Sequence, residues 1–419
     1  MARFAFFPAK SSGFAIAAAM MAVGTLGATA IATPAYAQKQ AKFSKEFLAA
    51  FQPIDEAIKG ENPDYAALRA QAEAAKDTVK TDDERFFYGS TMYTIGGKLN
   101  DVALQLEGMN MMLDSGKVPE ANVPQYTYVA GQLAFNSQDW ASARARFEKA
   151  IELGYEVEQA RALIARTYSE EGDFTAALQT VNDQINEQIA AGGAPDETLL
   201  KRGLTTAYNN DLFEDATNYS LMLVKYYPSA TTWADAVAIQ RNFGQWSDAE
   251  MLDLLRLARA ANAMREARDY TDYIDAANFR RLPAEVAAVT AEGISSGKLK
   301  SSDTFVAEAQ RESQSRTAGL KADLGALESD AKASGASASL AVAAGDAYLN
   351  FDNGAKAAEL YELALTRPDV DRSLALTRLG IAQVKAGDYA AAQETLGKVQ
   401  GQRASIAKLW AAYAKQQAG

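Results

Sequence analysis

From about residue 44 onward, apolar positions recur at intervals of three and four, and no stretch keeps the alternation of a half-buried strand. The last segment is the cleanest. Ile406, Leu409, Trp410 and Tyr413 fall at i, i+3, i+4 and i+7, one apolar stripe on a helix over 404–417. The intervening positions are rich in Ala, Leu, Glu, Gln, Lys and Arg, all strong helix formers. Near the start, further helical pairs are predicted over 44–59, 63–79 and 83–114. The pattern predicts an all-α chain.

Within that pattern the turns repeat. Gln138-Asp139-Trp140, Gly172-Asp173-Phe174, Asp211-Leu212-Phe213, Gly244-Gln245-Trp246 and Gly387-Asp388-Tyr389 each separate two helical stretches. In each case the aromatic is followed three residues later by alanine: Ala143, Ala177, Ala216, Ala249 and Ala392. The first four aromatics are 34, 39 and 33 residues apart, and the loop 190–195 accounts for the longer interval. A fixed period of this size marks a stack of supersecondary units, each too small to bury its apolar face alone.

The repeat resembles the tetratricopeptide repeat family. The unit starting at Pro124 carries Ala130-Gly131, Trp140, Ala143, Phe147 and Ala150. The next carries Ile164-Ala165, Tyr168, Phe174 and Ala177. A third has Leu200, Phe213, Ala216 and Pro228, and a fourth Trp233, Ala236, Trp246 and Ala249. Two more follow near the C-terminus, on Ala344-Gly345, Tyr348, Ala357 and Tyr361, and on Leu379-Gly380, Tyr389, Ala392 and Leu396. The resemblance implies an α-solenoid, a right-handed superhelix of helix-turn-helix repeats, here with irregular helical segments and a C-terminal capping helix. The expected divisions are a signal peptide over 1–37 and a degenerate helical region over 38–123. Repeats follow over 124–261, then an irregular helical bridge and linker over 262–337, and repeats with the capping helix over 338–419.

The first 37 residues form an address. Arg3 and Lys10 precede an apolar, small-residue run over 14–32, and Pro34 leads into Ala35-Tyr36-Ala37, an A-x-A cleavage site with Gln38 as the new N-terminus. No twin arginine is present. The expected location is therefore periplasmic or secreted, in a Gram-negative bacterium, with no stable membrane insertion after cleavage. Removing Arg3 and Lys10 takes the formal charge from −11 to −13. That acidic surplus argues against nucleic acid, which needs clustered Lys and Arg.

The chain has neither histidine nor cysteine. This excludes Ser-His-Asp and Cys-His chemistry, imidazole and thiolate metal sites, and disulfides. Ser295-Ser296-Gly297-Lys298 and Ser329-Asp330-Ala331-Lys332 match the S-x-x-K of penicillin-binding proteins, but the S-D-N and K-T-G partners are missing. Ala207-Tyr208-Asn209 is similar to a lytic transglycosylase motif, yet it lies inside a repeat and no catalytic domain follows. Gly96-Gly97-Lys98 lacks the earlier glycine of a phosphate loop. Acid pairs such as Glu170-Glu171 and Asp82-Asp83 suit charged turns and helix N-termini. No enzyme, cofactor or metal is expected.

In the family the chain resembles, ligands lie against the first helix of each repeat. The corresponding positions here hold Tyr128, Gln132 and Asn136 in the first unit, Arg166 in the second, Tyr208 and Asn209 in the third, and Arg241 and Asn242 in the fourth. Asparagine recurs, and an amide can pair with a peptide backbone as both donor and acceptor. The expected function is a non-enzymatic scaffold whose groove holds an envelope protein or peptide, with arginines that suit an acidic partner. Alternatives are a cell-wall- or carbohydrate-binding or -active helical protein using carboxylates, and a structural subunit of a secretion or outer-membrane assembly complex. The sequence leaves the oligomeric state open.

Overall fold

The computed structural model describes residues 42–419. The expected signal peptide, its cleavage site and Gln38 lie outside the described residues. Twenty α-helices and three short 3-10 turns make up the fold, with no strand among the described residues. Each helix packs chiefly on its neighbours in sequence, the pairing expected of an α-solenoid. None of these helices is long and apolar enough to cross a membrane. The chain divides into two compact units, one ending at Thr180 and one beginning at Val181.

The first unit holds α1 (Lys45–Ile58), α2 (Tyr65–Ala74), α3 (Asp82–Leu99), α4 (Val102–Asp114), α5 (Val123–Asn136), α6 (Trp140–Glu152) and α7 (Val157–Glu171). The division falls within α8 (Phe174–Ala190). On α1, Phe47, Phe51 and Ile54 share one face and bury it against Leu68, Tyr88 and Met92. The rings of Phe47 and Phe51 stack at 4.5 Å. Glu84 closes the capping box at the start of α3 and takes the backbone N–H groups of Ser44 at 2.6 Å and Lys80 at 2.7 Å. Burial opposes its ionisation, but these donors outweigh it and hold the carboxyl at about 2.

The stretch over 83–114 breaks at Asn100, whose φ of 55° is left-handed, and Asp101 then caps α4. The two helices cross closely: a Cβ on Gly89 would stand 2.6 Å from the carbonyl oxygen of Gly108. The same logic governs the later hairpins. A Cβ on Gly131 would meet the ring of Phe147 at 2.7 Å, and one on Gly203 the ring of Tyr219 at 2.4 Å. Gly345 with Tyr361 and Gly380 with Leu396 repeat the contact, always 16 residues apart. A missing side chain on the first helix thus receives a large one from the second. Phe147 also joins Ala160 and Ile164 of α7, linking its hairpin to the next.

The second unit contains α9 (Glu197–Asn209), α10 (Phe213–Tyr226), α11 (Ala230–Phe243), α12 (Asp248–Ala260), α13 (Ala267–Ala277), α14 (Pro283–Ser295), α15 (Thr304–Lys332), α16 (Ala338–Asn350), α17 (Gly354–Leu365), α18 (Arg372–Ala386), α19 (Tyr389–Leu396) and α20 (Ala404–Ala418). Helices α13 to α15 fill most of 262–337, and the Ser- and Gly-rich run after Lys332 is the turn into α16.

Helix α20 does more than cap the end of a stack. It packs on α18 and α19 and also on α10, α11 and α12, 153 residues earlier at Ala260 and 183 at Trp233. Ile406, Leu409 and Trp410 are all fully buried, and Val224, Trp233, Leu254 and Leu257 share their cluster. A stripe this wide needs apolar cover on more than one side, and the earlier helices supply it.

Candidate functional site

The residues that the repeat pattern singles out fall on α5 and α7 in the first unit and on α9 and α11 in the second. Tyr128 is half-buried, its ring 5.6 Å from Phe147 and 5.7 Å from Tyr155. Burial pushes its phenol up, and the Glu156 carboxylate adds to the effect. Gln132 and Asn136 follow on the same helix, both half-buried. Arg166 on α7 is exposed, pairs with Glu170 at 3.2 Å, and lies 5.1 Å from the ring centre of Phe135 on α5. That cation–π contact brings the two helices' candidate faces together.

In the second unit, Tyr208 and Asn242 meet directly. The Asn242 amide donates to the Tyr208 hydroxyl at 2.9 Å, 34 residues apart and one repeat along. The ring of Tyr208 stands edge-on to Phe243 at 5.3 Å, and Phe243 packs on Phe213 at 5.6 Å. Asn209 and Asn242 are exposed beside these rings. The outcome is an aromatic cluster edged by amides at the C-terminal ends of α9 and α11.

Arg241 does not present its charge outward as the sequence reading expected. Its side chain is only 13% exposed; it pairs with Asp269 at 2.5 Å and also with Asp272. The other charges nearby are paired in the same way, Lys201 with Glu197 at 2.8 Å and Arg265 with Asp235 at 3.0 Å. Burial pushes the Asp235 carboxyl up, against the pull of Arg265. Ion pairs inside the chain thus engage Arg241, Lys201 and Arg265, and the side chains beside the Tyr208 ring are the neutral Asn209 and Asn242.

A second constellation escaped the repeat pattern altogether. Asp253 on α12 is completely buried. Its carboxylate meets Arg378 Nε of α18 at 2.6 Å, Arg403 Nη1 at 2.7 Å and Arg256 Nη1 at 3.4 Å. Arg256 grips Glu285 of α14 with two nitrogens, at 2.7 and 2.6 Å, and the Tyr273 hydroxyl donates to the same carboxylate at 2.6 Å. Arg378 also pairs with Asp346 of α16, which accepts from the Tyr361 hydroxyl at 2.6 Å. Burial works against ionising Glu285, yet Arg256 and Tyr273 hold its carboxyl at about 2. Asp346 is likewise lowered, burial being overcome by Arg378. Burial drives both phenols well up.

This junction is a buried, charge-paired core. Its signal in the sequence is faint: Asp253 and Arg256 interrupt Leu252, Leu254, Leu255 and Leu257, so charge falls in the stripe that must be buried. Among the described residues, no group of three or more carboxylates is placed to hold a metal ion. No protein-family model and no curated protein matches the chain.

Proposed function

We propose that the protein is a non-enzymatic, exported scaffold of tetratricopeptide-like repeats, wound as a right-handed superhelix, which holds a protein or peptide of the bacterial envelope. The observation that carries this reading is the Tyr208–Asn242 pair, which joins the candidate faces of two successive repeats. The recurrent glycine–large-residue contact at a spacing of 16 supports the repeat assignment. The partner segment is uncharged where it meets Tyr208 and Asn242, whose neighbours Asn209 and Phe243 are neutral, while Arg241 is taken up in its pairs with Asp269 and Asp272. Amides and a tyrosine hydroxyl then bond to main chain, and the rings cover apolar side chains. Such grooves bind at about micromolar strength, about −8 kcal/mol.

A photoreactive residue in place of Tyr208, with one at exposed Lys149 as the comparison, tests this in cells. The expected result is a discrete crosslinked partner from position 208 alone. Crosslinking from 149 and not from 208 discards the face. The neutral aromatic-and-amide composition of the cluster also favours a second reading, a glycan strand stacked on Tyr208 and Phe243. Titration with soluble cell-wall fragments separates the two readings, since a peptide scaffold gives no heat.

A further inference from the structure

Helix α15 belongs to two cores. At its start Val306, Ala309 and Ser313 are buried, the first two in the cluster of Tyr270, Tyr273 and Val286. At its end Ala331, with Leu327 beside it, joins Ala341, Ala344 and Leu360 of α16 and α17. Between these ends no residue from 314 to 326 is buried. Two glycines stand in this uncovered middle. A Cβ on Gly319 or on Gly325 would meet no atom within 4 Å, and neither residue has a left-handed φ. Neither packing nor backbone geometry therefore calls for glycine, which weakens an exposed helix relative to alanine. What the pair supplies is a helix that breaks readily between two rigid ends.

The chain beyond that point returns to the helices before it, across a seam whose apolar core sets Ile406, Leu409 and Trp410 against Val224, Trp233, Leu254 and Leu257 and which also carries polar contacts. Arg378 and Arg403 reach Asp253. Trp410 Nε1 donates to the Asp253 carbonyl at 2.9 Å, and the Tyr413 hydroxyl to that of Ala260 at 2.9 Å. Trp233 Nε1 donates to Gln416 at 3.0 Å, and the Glu285 N–H to Asn350 at 2.9 Å. Closing neutralises one carboxylate with two guanidinium groups. On opening, Asp253 keeps Arg256 and Arg378 keeps Asp346, so no buried charge is stranded, and the cost of opening is the exposure of the apolar cluster around Trp410.

We propose that the second unit is a hinged clasp: residues 327–418 swing about Gly319 and Gly325 and latch onto α12 through Asp253. The proposal does not depend on the partner assigned above. Helices α16 to α20 move together, because each packs on the next. The seam runs along the block, from Asn350 through Arg378 to Arg403 and α20, so a bend in α15 has to part all of these contacts together.

Native-state hydrogen exchange on the full chain in low denaturant tests it. Amides of α20 and of the facing half of α12 are expected to exchange at least tenfold faster than those of α13 and α14, through an opening that leaves the latter protected. Gly319→Ala with Gly325→Ala is expected to slow seam exchange about fivefold or more while leaving α13 and α14 unchanged. Asp253→Asn is expected to accelerate seam exchange by tenfold or more. Seam amides that exchange only with the whole unit overturn the clasp, as does a glycine pair that slows every helix of the unit equally. Should Asp253→Asn fail to fold, the wild type and the glycine pair decide by themselves. Because the chain has no cysteine, spin labels at Asn218→Cys and Lys415→Cys give an independent distance. A second, longer population that shrinks in the glycine variant supports the hinge; one fixed distance in both proteins rejects it.

Discussion

Trp410 donates its indole N–H to the backbone carbonyl of Asp253, 157 residues earlier in the chain, at 2.9 Å. The same residue is the largest fully buried side chain of the molecule. One side chain thus fills the core between the last helix and α12 and also fixes its orientation there.

Replacing Trp410 separates these two roles. Trp410→Phe keeps much of the packing and loses the donor, at about 1–2 kcal/mol. Trp410→Ala opens a cavity and is expected to lower stability by about 3–5 kcal/mol. Urea unfolding followed by circular dichroism measures both; equal losses would mean that packing contributes nothing beyond the hydrogen bond.

Stability should hold level from neutral pH to about 4.5 and then fall towards pH 2. Glu285 is held at about 2 in the folded protein, so its contribution is complete above its ordinary pKa and is lost as pH drops through the folded value. A depression of this size corresponds to about 3 kcal/mol. Asp346 and Glu84 act in the same direction. Melting temperature against pH should therefore show an acid limb and, with no histidine in the chain, no histidine step between 5 and 8. Glu285→Gln should flatten part of that limb.

Gly203→Ala places a methyl group 2.4 Å from Cε1 of Tyr219. The ring has no room to retreat, being 1% exposed and bonded through its hydroxyl to Asn182 at 2.8 Å. The expected loss is about 1–3 kcal/mol. Adding Tyr219→Leu to Gly203→Ala should recover part of it, which a thermal melt of the double variant reads directly.

Arg241→Gln is expected to cost about 1–3 kcal/mol of stability, because Asp269 and Asp272 lose their shared counter-charge. Asn242→Ala should cost under about 1 kcal/mol, since its bond to Tyr208 is exposed, while reducing partner crosslinking from position 208. A stable Arg241→Gln protein with crosslinking lost, beside an Asn242→Ala protein that crosslinks normally, would reverse these assignments.

The helices and their pairing were legible because both rest on local spacing. The turns that end in an aromatic, with alanine three residues on, mark where each hairpin folds back, and in four hairpins a glycine lies 16 residues before the large side chain it receives. Tyr208 and Asn242 were legible for the same reason: one period separates them. The use of Arg241 was not, because its partners Asp269 and Asp272 belong to α13, outside the clear repeats. The return of α20 to α12 escaped the pattern for a deeper reason. An amphipathic stripe says that a face is covered and not by which helix, and the covering residues lie about 150 positions away. Asp253 carries only the faint signal of a charge set among Leu252, Leu254 and Leu255, and the convergence of Arg378 and Arg403 is what places it in the core.

The late arrival of α20 has a consequence for how the chain is made. In the first unit, through α7, every packing partner is near in sequence, so folding can proceed as residues emerge in order. The second unit cannot finish that way. Until Arg403 and Trp410 appear, Asp253 lacks two of its ligands and Trp233 lacks its cover. The core of the second unit therefore closes only once α20 is in place, and its folding waits on contacts made across about 150 residues.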